Sequence, residues 1–332
     1  MNEVIVSMNN ISKSFPGVKA LDHVKFELRS GEVMALLGEN GAGKSTLMKI
    51  LSGVYTRDEG TMEIFGKSYD DLTPKQAQEA GVAIIHQELN MCRHLTVTEN
   101  MFLGREVKGG LSLNNAKMRK EAKKVLDDLR IDISPDQIVG DLPVSKQQMV
   151  EIAKAVSFNS KVIVFDEPTS SLTEEEVEHL FKIINMLRDR GVGIIYISHK
   201  MAEIKRISDE ITIMRDGTWV ATKPADELSM DDIIRLMVGR ELTNQFPPKT
   251  NKPGEIALEV EGLTAQYSSL KDVSFNVRKG EIVGLAGLDG SGRTETLENI
   301  FGIATRHSGT IKLDGKVVKN RNSRESKMVL HY

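Results

Sequence analysis

The stretch VMALLGENGAGKST occupies residues 33–46, and it decides the fold of the chain. Its first five residues are apolar and predict a short buried strand, and a helix is expected to begin near Lys44. Between the two, Gly38 to Ser45 match the pattern GxxxxGK[ST], whose small residues let backbone N–H groups surround phosphate oxygens. The order of strand, glycine-rich loop and helix therefore predicts a phosphate-binding loop.

Within this loop, Lys44 is expected to reach the β- and γ-phosphates of a nucleoside triphosphate, and Ser45 to ligate Mg²⁺. Phe15 precedes the loop, and it either stacks on an adenine base or packs in the core. The predicted nucleotide-binding residues are Phe15, Gly38, Glu39, Asn40, Gly41, Ala42, Gly43, Lys44, Ser45 and Thr46.

A second apolar strand, VIVFDE at 162–167, ends in two carboxylates. Proteins of the α/β class place ligand groups at the ends of buried strands. Asp166 is expected to hold Mg²⁺ directly or through water, and Glu167 to act as the general base on an attacking water. A strand that ends in Asp-Glu is also common as a solvated surface feature. The phosphate loop upstream favours the catalytic interpretation.

Two further polar residues follow apolar strands. His199 follows GIIYIS at 193–198, and Gln87 follows VAIIH at 82–86. A single histidine after a strand is usually structural. In this series of strand ends, however, His199 is the natural contact to the γ-phosphate, and Gln87 is the natural contact to the attacking water and the metal ion.

The chain also contains an internal repeat, because residues 31–66 recur 249 positions later without a gap. Seven glycines from Gly31 to Gly66 are in register with seven from Gly280 to Gly315. We predict the following organisation: a first domain at 1–243 with a helical subdomain at about 92–158, a linker at 244–254, and an incomplete second copy at 255–332. The second copy is expected to be either naturally short or a truncated product.

Alternating strands and helices predict an α/β fold with a mainly parallel sheet and a helical insertion. The net charge of −3 gives no positive field toward nucleic acid, so no nucleic-acid partner is expected. No apolar run is long enough to span a membrane, the first ten residues lack a signal-peptide pattern, and Cys92 has no second cysteine to pair with. These features favour a cytosolic chain.

Together these segments resemble the ATPases of ATP-binding cassette (ABC) transporters over residues 3–318. The resemblance makes Phe15 the adenine-stacking residue, 38–45 the Walker A motif, Gln87 the Q-loop, 162–167 the Walker B motif, 170–173 the D-loop and His199 the switch histidine. KSFPGVKALD (13–22) and DEPTSSLTEEEV (166–177) are similar to the fused two-cassette ATPases of bacterial monosaccharide importers. RDGTWVATKP (215–224) resembles the galactose/methyl-galactoside branch.

The resemblance implies a P-loop NTPase fold with an ABC-type, mainly parallel sheet, an antiparallel β subdomain and a helical subdomain. It implies ATP hydrolysis with ATP and Mg²⁺, at the cytoplasmic face of the cell membrane. The implied partners are transmembrane permease subunits, through them a periplasmic or lipid-anchored sugar-binding protein, and a second ABC domain in cis or in trans.

Two departures from the family pattern stand out. The signature loop, expected as LSGGQ, reads LPVSK at 142–146, and Pro143 has neither the hydroxyl nor the N–H of the usual serine. The second phosphate loop, at 287–294, carries Arg293 in place of lysine, together with an acidic Asp289. One degenerate site is therefore expected, and two alternatives to a transport motor stay open: a soluble cassette acting on ribosomes or DNA, and a module that binds ATP without hydrolysing it.

Overall fold

A computed structural model of the protein describes residues 3–86, 89–109, 112–239, 250–288, 290–319 and 322–324. The chain divides into two compact units, Met1–Thr243 and Asn244–Tyr332. Residues 244–249 of the expected linker lie outside the described residues.

The strands described for the first unit are β1 (Val4–Phe15), β2 (Val18–Arg29), β3 (Val33–Leu37), β4 (Glu59–Ile64), β5 (Lys67–Ser68), β6 (Val82–Ile85), β7 (Val162–Asp166), β8 (Gly193–Ile197), β9 (Glu210–Arg215) and β10 (Thr218–Pro224). Its helices are α1 (Lys44–Leu51), α2 (Pro74–Glu79), α3 (Val97–Phe102), α4 (Asn115–Asp128), α5 (Val144–Ser157), α6 (Glu174–Asp189), α7 (Met201–Ile207) and α8 (Met230–Val238).

A six-stranded sheet with the order β10-β9-β3-β8-β7-β6 forms the centre of this unit. Neighbouring strands from β9 to β6 run parallel, and β10 joins antiparallel at one edge. Every residue of β3 and β8 is buried, as expected for strands that are covered on both faces by other elements. The predicted α/β fold class is confirmed. The carboxyl ends of β3, β7 and β8 meet at one edge of this sheet, where the candidate site lies.

A second sheet in the first unit is antiparallel and has the order β2-β1-β4-β5. Alternate residues of β2 are buried from Val24 onward, which places Val24, Phe26 and Leu28, together with Leu21, in the core shared with α1. Between β6 and β7 the chain forms α3, α4 and α5, which pack against one another. Thr96 and Glu99 form a capping box that fixes the start of α3.

The second unit contains β11 (Ile256–Ala265), β12 (Val273–Arg278), α9 (Arg293–Phe301), β13 (Arg306–Leu313) and β14 (Lys316–Val317). Its sheet has the order β12-β11-β13-β14, which repeats the order β2-β1-β4-β5 of the first unit. Residues 282–286, which correspond to β3, are not in a strand. Ile282 within that segment is 96% exposed.

Candidate functional site

Two glycines shape the loop that follows β3. A side chain at Gly38 would place its Cβ 2.4 Å from the backbone oxygen of Met214. Gly43 has φ of 96° and precedes α1, and a Cβ there would lie 2.7 Å from the backbone oxygen of Ala20. No side chain caps the start of α1, so its first backbone N–H groups are available to an anion.

Lys44 closes this loop from within. Its Nζ donates hydrogen bonds to the backbone oxygens of Gly38 at 2.7 Å and Glu39 at 3.0 Å. Burial lowers the pKa of Lys44, and the nearby carboxylates of Asp166 and Glu167 oppose that shift. The end of β7 therefore lies within electrostatic reach of the loop that follows β3.

A cavity of about 360 Å³ lies over the loop. It is lined by Phe15, Val18, Lys19, Ala20, Asn40, Gly41, Ala42, Gly43, Lys44, Ser45 and Thr46. Eight of the ten predicted nucleotide-binding residues thus line one cavity, and the other two, Gly38 and Glu39, contact Lys44 through their carbonyl groups. The half-buried ring of Phe15 forms part of the wall, with the ring of Tyr55 edge-on at 5.3 Å.

The two carboxylates of the second motif sit at the end of β7. Burial, and then the charge of Glu167, raise the pKa of Asp166, while Lys44 acts in the opposite direction. Glu167 adopts φ of 49°, a left-handed conformation, and its N–H donates to the backbone oxygen of Ile197 at 2.9 Å. Such strain at a polar residue is common at functional sites.

His199 is brought to the same place by the end of β8. Its Nδ1 lies 3.2 Å from Oε1 of Glu167. The imidazole is 70% exposed and the Glu167 side chain is 24% exposed, so both groups face solvent and can be reached by a ligand. Gln87, the remaining predicted catalytic and metal-contacting residue, lies outside the described residues.

Sequence reasoning missed two residues, Gln148 and Glu203, that contact the loop that follows Glu167. Gln148 of α5 donates from Nε2 to the backbone oxygen of Pro168 at 2.5 Å, and its Oε1 accepts from Ser171 Oγ at 2.8 Å. Glu203 of α7 accepts from Thr169 Oγ1 at 2.8 Å. These contacts join residues 20 to 34 positions apart, and no local pattern could have indicated them.

The loop with the altered signature begins α5, where Pro143 is the N-cap residue and makes no side-chain cap. Gln147 Nε2 donates to the backbone oxygen of Leu142 at 2.8 Å, which ties the first turn of α5 to the loop before it and does not cap the first N–H groups of the helix. At the second phosphate loop, Asp289 lies outside the described residues, and α9 begins at Arg293.

Among the described helices, none is both long enough and apolar enough to cross a membrane.

Comparisons of this chain with family profiles and with known proteins agree on one family. The sequence profile of the ABC transporter family matches residues 21–170 and 270–332. The galactose/methyl galactoside import ATP-binding protein MglA of Mannheimia succiniciproducens is 54% identical over 326 residues, which are 98% of this chain and 64% of that protein. The protein of the same name from Escherichia coli K12 is 52% identical over 325 residues, with the same coverage. The chain thus spans 64% of the length of these relatives.

Solved structures agree with the sequence relatives. A nucleotide-free ATP-binding cassette from an ABC transporter aligns with a TM-score of 0.62 and 25% identity, over 74% of this chain and 100% of that one. The ADP conformation of another such cassette aligns with a TM-score of 0.63 and 26% identity, over 72% of this chain and 100% of that one. With the family profile matching more than half of its residues, this chain belongs to the ABC transporter family, as its motifs predicted.

Proposed function

We propose that this chain binds ATP and Mg²⁺ in the cavity above the phosphate loop. We also propose that, together with a second cassette, it hydrolyses ATP to drive sugar import. The observation that carries the proposal is the composition of the cavity wall, where Phe15 lies on the same surface as Lys44 and the uncapped start of α1. An aromatic ring suits a base, and a cation beside free N–H groups suits a polyphosphate.

Within this cavity, Phe15 stacks on the adenine, and Tyr55 supports its ring from the edge. Lys44 exchanges its hydrogen bonds to the backbone oxygens of Gly38 and Glu39 for bonds to the β- and γ-phosphates. The exchange stabilises the bound state, because a phosphate oxygen is a charged acceptor and a carbonyl is a neutral one.

The donors around Asp166 fit Mg²⁺. Asp166 is half-buried beside a second carboxylate, and the resulting rise in its pKa reflects an unfavourable negative charge that a cation would relieve. Ser45 adds a hydroxyl oxygen at the cavity wall. Bound Mg²⁺ supplies charge neutralisation at the phosphates, and it is typically held by only one or two protein groups plus the phosphates themselves. The described residues include no cluster of three or more acidic, histidine or cysteine ligands.

For hydrolysis, Glu167 accepts a proton from the attacking water, and His199 contacts the γ-phosphate. The 3.2 Å approach of His199 Nδ1 to Glu167 Oε1 supports this pairing, since both side chains then border one small region. Gln87 contributes the contact to water and metal ion, as the family resemblance implies.

The names of the relatives support a proposal for the transported sugar and the partners. Proteins at 52–54% identity carry the name galactose/methyl galactoside import ATP-binding protein. We infer that this chain serves the same class of import at the cytoplasmic face of the membrane. Its partners are permease subunits and, through them, a sugar-binding protein.

A second candidate function is ATP binding without hydrolysis. Pro143 favours it, because the N-cap of α5 offers neither a hydroxyl nor an N–H toward a phosphate of a facing cassette. The two candidates share the ATP site and differ only in turnover.

The ATP site is tested with Lys44→Ala. The control is Lys75→Ala, which also removes one lysine but lies on the exposed surface of α2. A charge-assisted phosphate contact is worth about 1.5–3 kcal/mol, so Lys44→Ala should weaken ATP binding roughly 10- to 100-fold. Isothermal titration calorimetry measures the effect, and Lys75→Ala should bind ATP as the unaltered chain does. Equal affinities for all three proteins would contradict the proposed site.

Turnover is tested with Glu167→Gln, which is nearly isosteric and removes the base. We expect ATP affinity to change by less than about threefold and phosphate release to fall by at least about 100-fold. A coupled phosphate-release assay measures this. If the unaltered chain binds ATP and releases no phosphate above the Glu167→Gln background, the second candidate is correct. Equal and substantial release by both proteins would instead show that Glu167 is not the general base.

A further inference from the structure

A cluster of polar side chains behind the candidate site converges on the carboxylate of Glu203, in the first turn of α7. Oε2 of Glu203 accepts hydrogen bonds from Thr169 Oγ1 at 2.8 Å, Tyr196 Oη at 2.9 Å and Ser198 Oγ at 3.4 Å. Its Oε1 lies 3.2 Å from Nζ of Lys200. The Glu203 side chain is only 12% exposed, so these contacts are sheltered from water.

Three of the four partners of Glu203 belong to two different loops, and the fourth, Tyr196, lies in β8. Thr169 lies two residues after Glu167, in the loop that follows β7, and it also accepts a hydrogen bond at its backbone oxygen from Lys200 Nζ at 3.0 Å. Ser198 and Lys200 lie on either side of His199, in the loop that follows β8. One carboxylate therefore holds the segment that carries Glu167 to the segment that carries His199.

From this geometry we infer that Glu203 is a positioning residue, which sets the separation of the Glu167 and His199 side chains across their two loops. This inference rests on the proposed function, because only ATP hydrolysis makes the spacing of the Glu167 and His199 side chains important for catalysis. The described side-chain contacts of Glu203 run to Thr169, Tyr196, Ser198 and Lys200, so the inferred role acts through the two loops.

A purely structural role for Glu203 makes a different prediction. Its position near the start of α7 favours a carboxylate, since the helix dipole is positive there. If this were all, loss of the carboxylate would lower stability and leave the contact between Glu167 and His199 unchanged. Glu99 occupies the comparable place in α3, where it accepts from Thr96 in a capping box, and it contacts neither loop. Glu99→Ala is therefore the matched control.

The experiment reads the geometry directly and does not depend on turnover. In the full chain, proton–carbon correlation spectra report the histidine ring signals, and His199→Gln assigns the signal of His199. Glu167→Gln should shift that signal, because the two side chains are in contact. In a Glu203→Ala background the same substitution should produce less than about a third of that shift, whereas in a Glu99→Ala background it should produce the full shift.

Conservative variants keep the test decisive if Glu203→Ala does not fold. Glu203→Gln retains one carbonyl acceptor and should restore more than about half of the His199 response, and Thr169→Val, which removes one hydroxyl donor, should reduce it. The inference is overturned if Glu167→Gln produces its full shift of the His199 signal in both the Glu203→Ala and the Thr169→Val backgrounds. If Glu203→Ala is unfolded, a full shift in the Thr169→Val background is enough to overturn it.

Kinetics provide the second measurement. In phosphate release, Glu203→Ala should lower kcat by at least about tenfold with KM for ATP within about threefold, since misplacement of reacting groups affects the chemical step. Absence of turnover in the unaltered chain would contradict the hydrolytic function, and the His199 spectra would still decide the role of Glu203.

Discussion

The segment Val33–Leu37 of the first copy and the segment 282–286 of the second copy carry the same apolar pattern and have different structures. The first is β3, which is fully buried and hydrogen-bonded to β8 on one side and β9 on the other. The second is not in a strand, and its Ile282 is almost fully exposed. An apolar pentapeptide before a glycine loop thus becomes a strand only where other strands accept its backbone hydrogen bonds.

The antiparallel sheets, in contrast to these two segments, have the same strand order in both copies. In each, the strand after the phosphate-loop helix returns to pair with the first strand of its own copy. Gly60 and Gly309 occupy matching positions with φ of 98° and 106°, and a Cβ at either would lie within 2.6 Å of backbone atoms of the neighbouring strand. Local pairing reproduces this part of the fold in both copies, whereas β3 depends on strands about 160 or more residues further along.

The largest expected difference between the copies concerns Leu36 and Leu285, which are the same residue type at matching positions. Leu36 is fully buried, so Leu36→Ala should lower the free energy of unfolding by about 2–5 kcal/mol. Leu285 is 37% exposed and has no neighbouring strand in the described residues, so Leu285→Ala should cost less than about 1 kcal/mol.

Urea unfolding followed by far-UV circular dichroism measures both variants. The fluorescence of Trp219, the single tryptophan of the chain, reports separately on the first unit. Equal losses for the two variants would mean that the segment around Leu285 is packed in solution as β3 is.

A smaller difference is expected at Glu32 and Glu281, which make the same turn. Each side chain accepts a hydrogen bond from a backbone N–H three residues earlier, at 2.7 Å from Arg29 and 2.8 Å from Arg278. Burial raises the pKa of Glu32 to about 7. The folded state therefore retains a proton that the unfolded state releases at its lower pKa, so stability is full below about pH 4.5 and falls as the pH rises through about 7.

Glu32→Gln removes this titration and keeps a carbonyl acceptor. At pH 8 the variant should be more stable than the unaltered chain by about 1–2 kcal/mol, and near pH 4.5 the two should be similar. Glu281→Gln on the half-exposed turn is the control, and it should change stability by less than about 0.5 kcal/mol at either pH. Urea midpoints across this pH range provide the measurement, and a pH-independent difference for Glu32→Gln would contradict the expectation.

Much of the candidate site could be predicted because its residues are fixed by local rules. The phosphate loop needs small residues between a strand and a helix. Asp166 ends a buried strand of the parallel sheet, and Glu167 and His199 follow such strands. Strand ends of such a sheet converge at one edge, so residues far apart in sequence could be grouped without a structure.

The contacts that could not be predicted depend on tertiary packing. Glu203 and Gln148 lie on helices, where periodicity indicates a buried face but not the loop that the face will meet. The segment 282–286 shows the same limit, because it is predominantly apolar like β3 and precedes a similar glycine loop, with Gly284 in place of Ala35, yet it is not in a strand. Hydrogen-bond partners distant in sequence decide whether such a strand forms, and local patterns do not report them.

The smallest expected effect comes from restoring lysine in the second phosphate loop with Arg293→Lys. If residue identity alone made this loop unfit for ATP, lysine would give the chain a second nucleotide site. The structure favours a different cause, because the segment before the loop is not a strand and Leu288 within the loop is 86% exposed. A phosphate cradle requires backbone N–H groups held in place, and among the described residues β3 and its neighbours provide that support only in the first copy.

Calorimetry should therefore find one ATP per chain both before and after the Arg293→Lys substitution. The double variant Arg293→Lys with Lys44→Ala should bind ATP as weakly as Lys44→Ala alone. A stoichiometry of two would assign the difference between the copies to one side chain rather than to the sheet behind it.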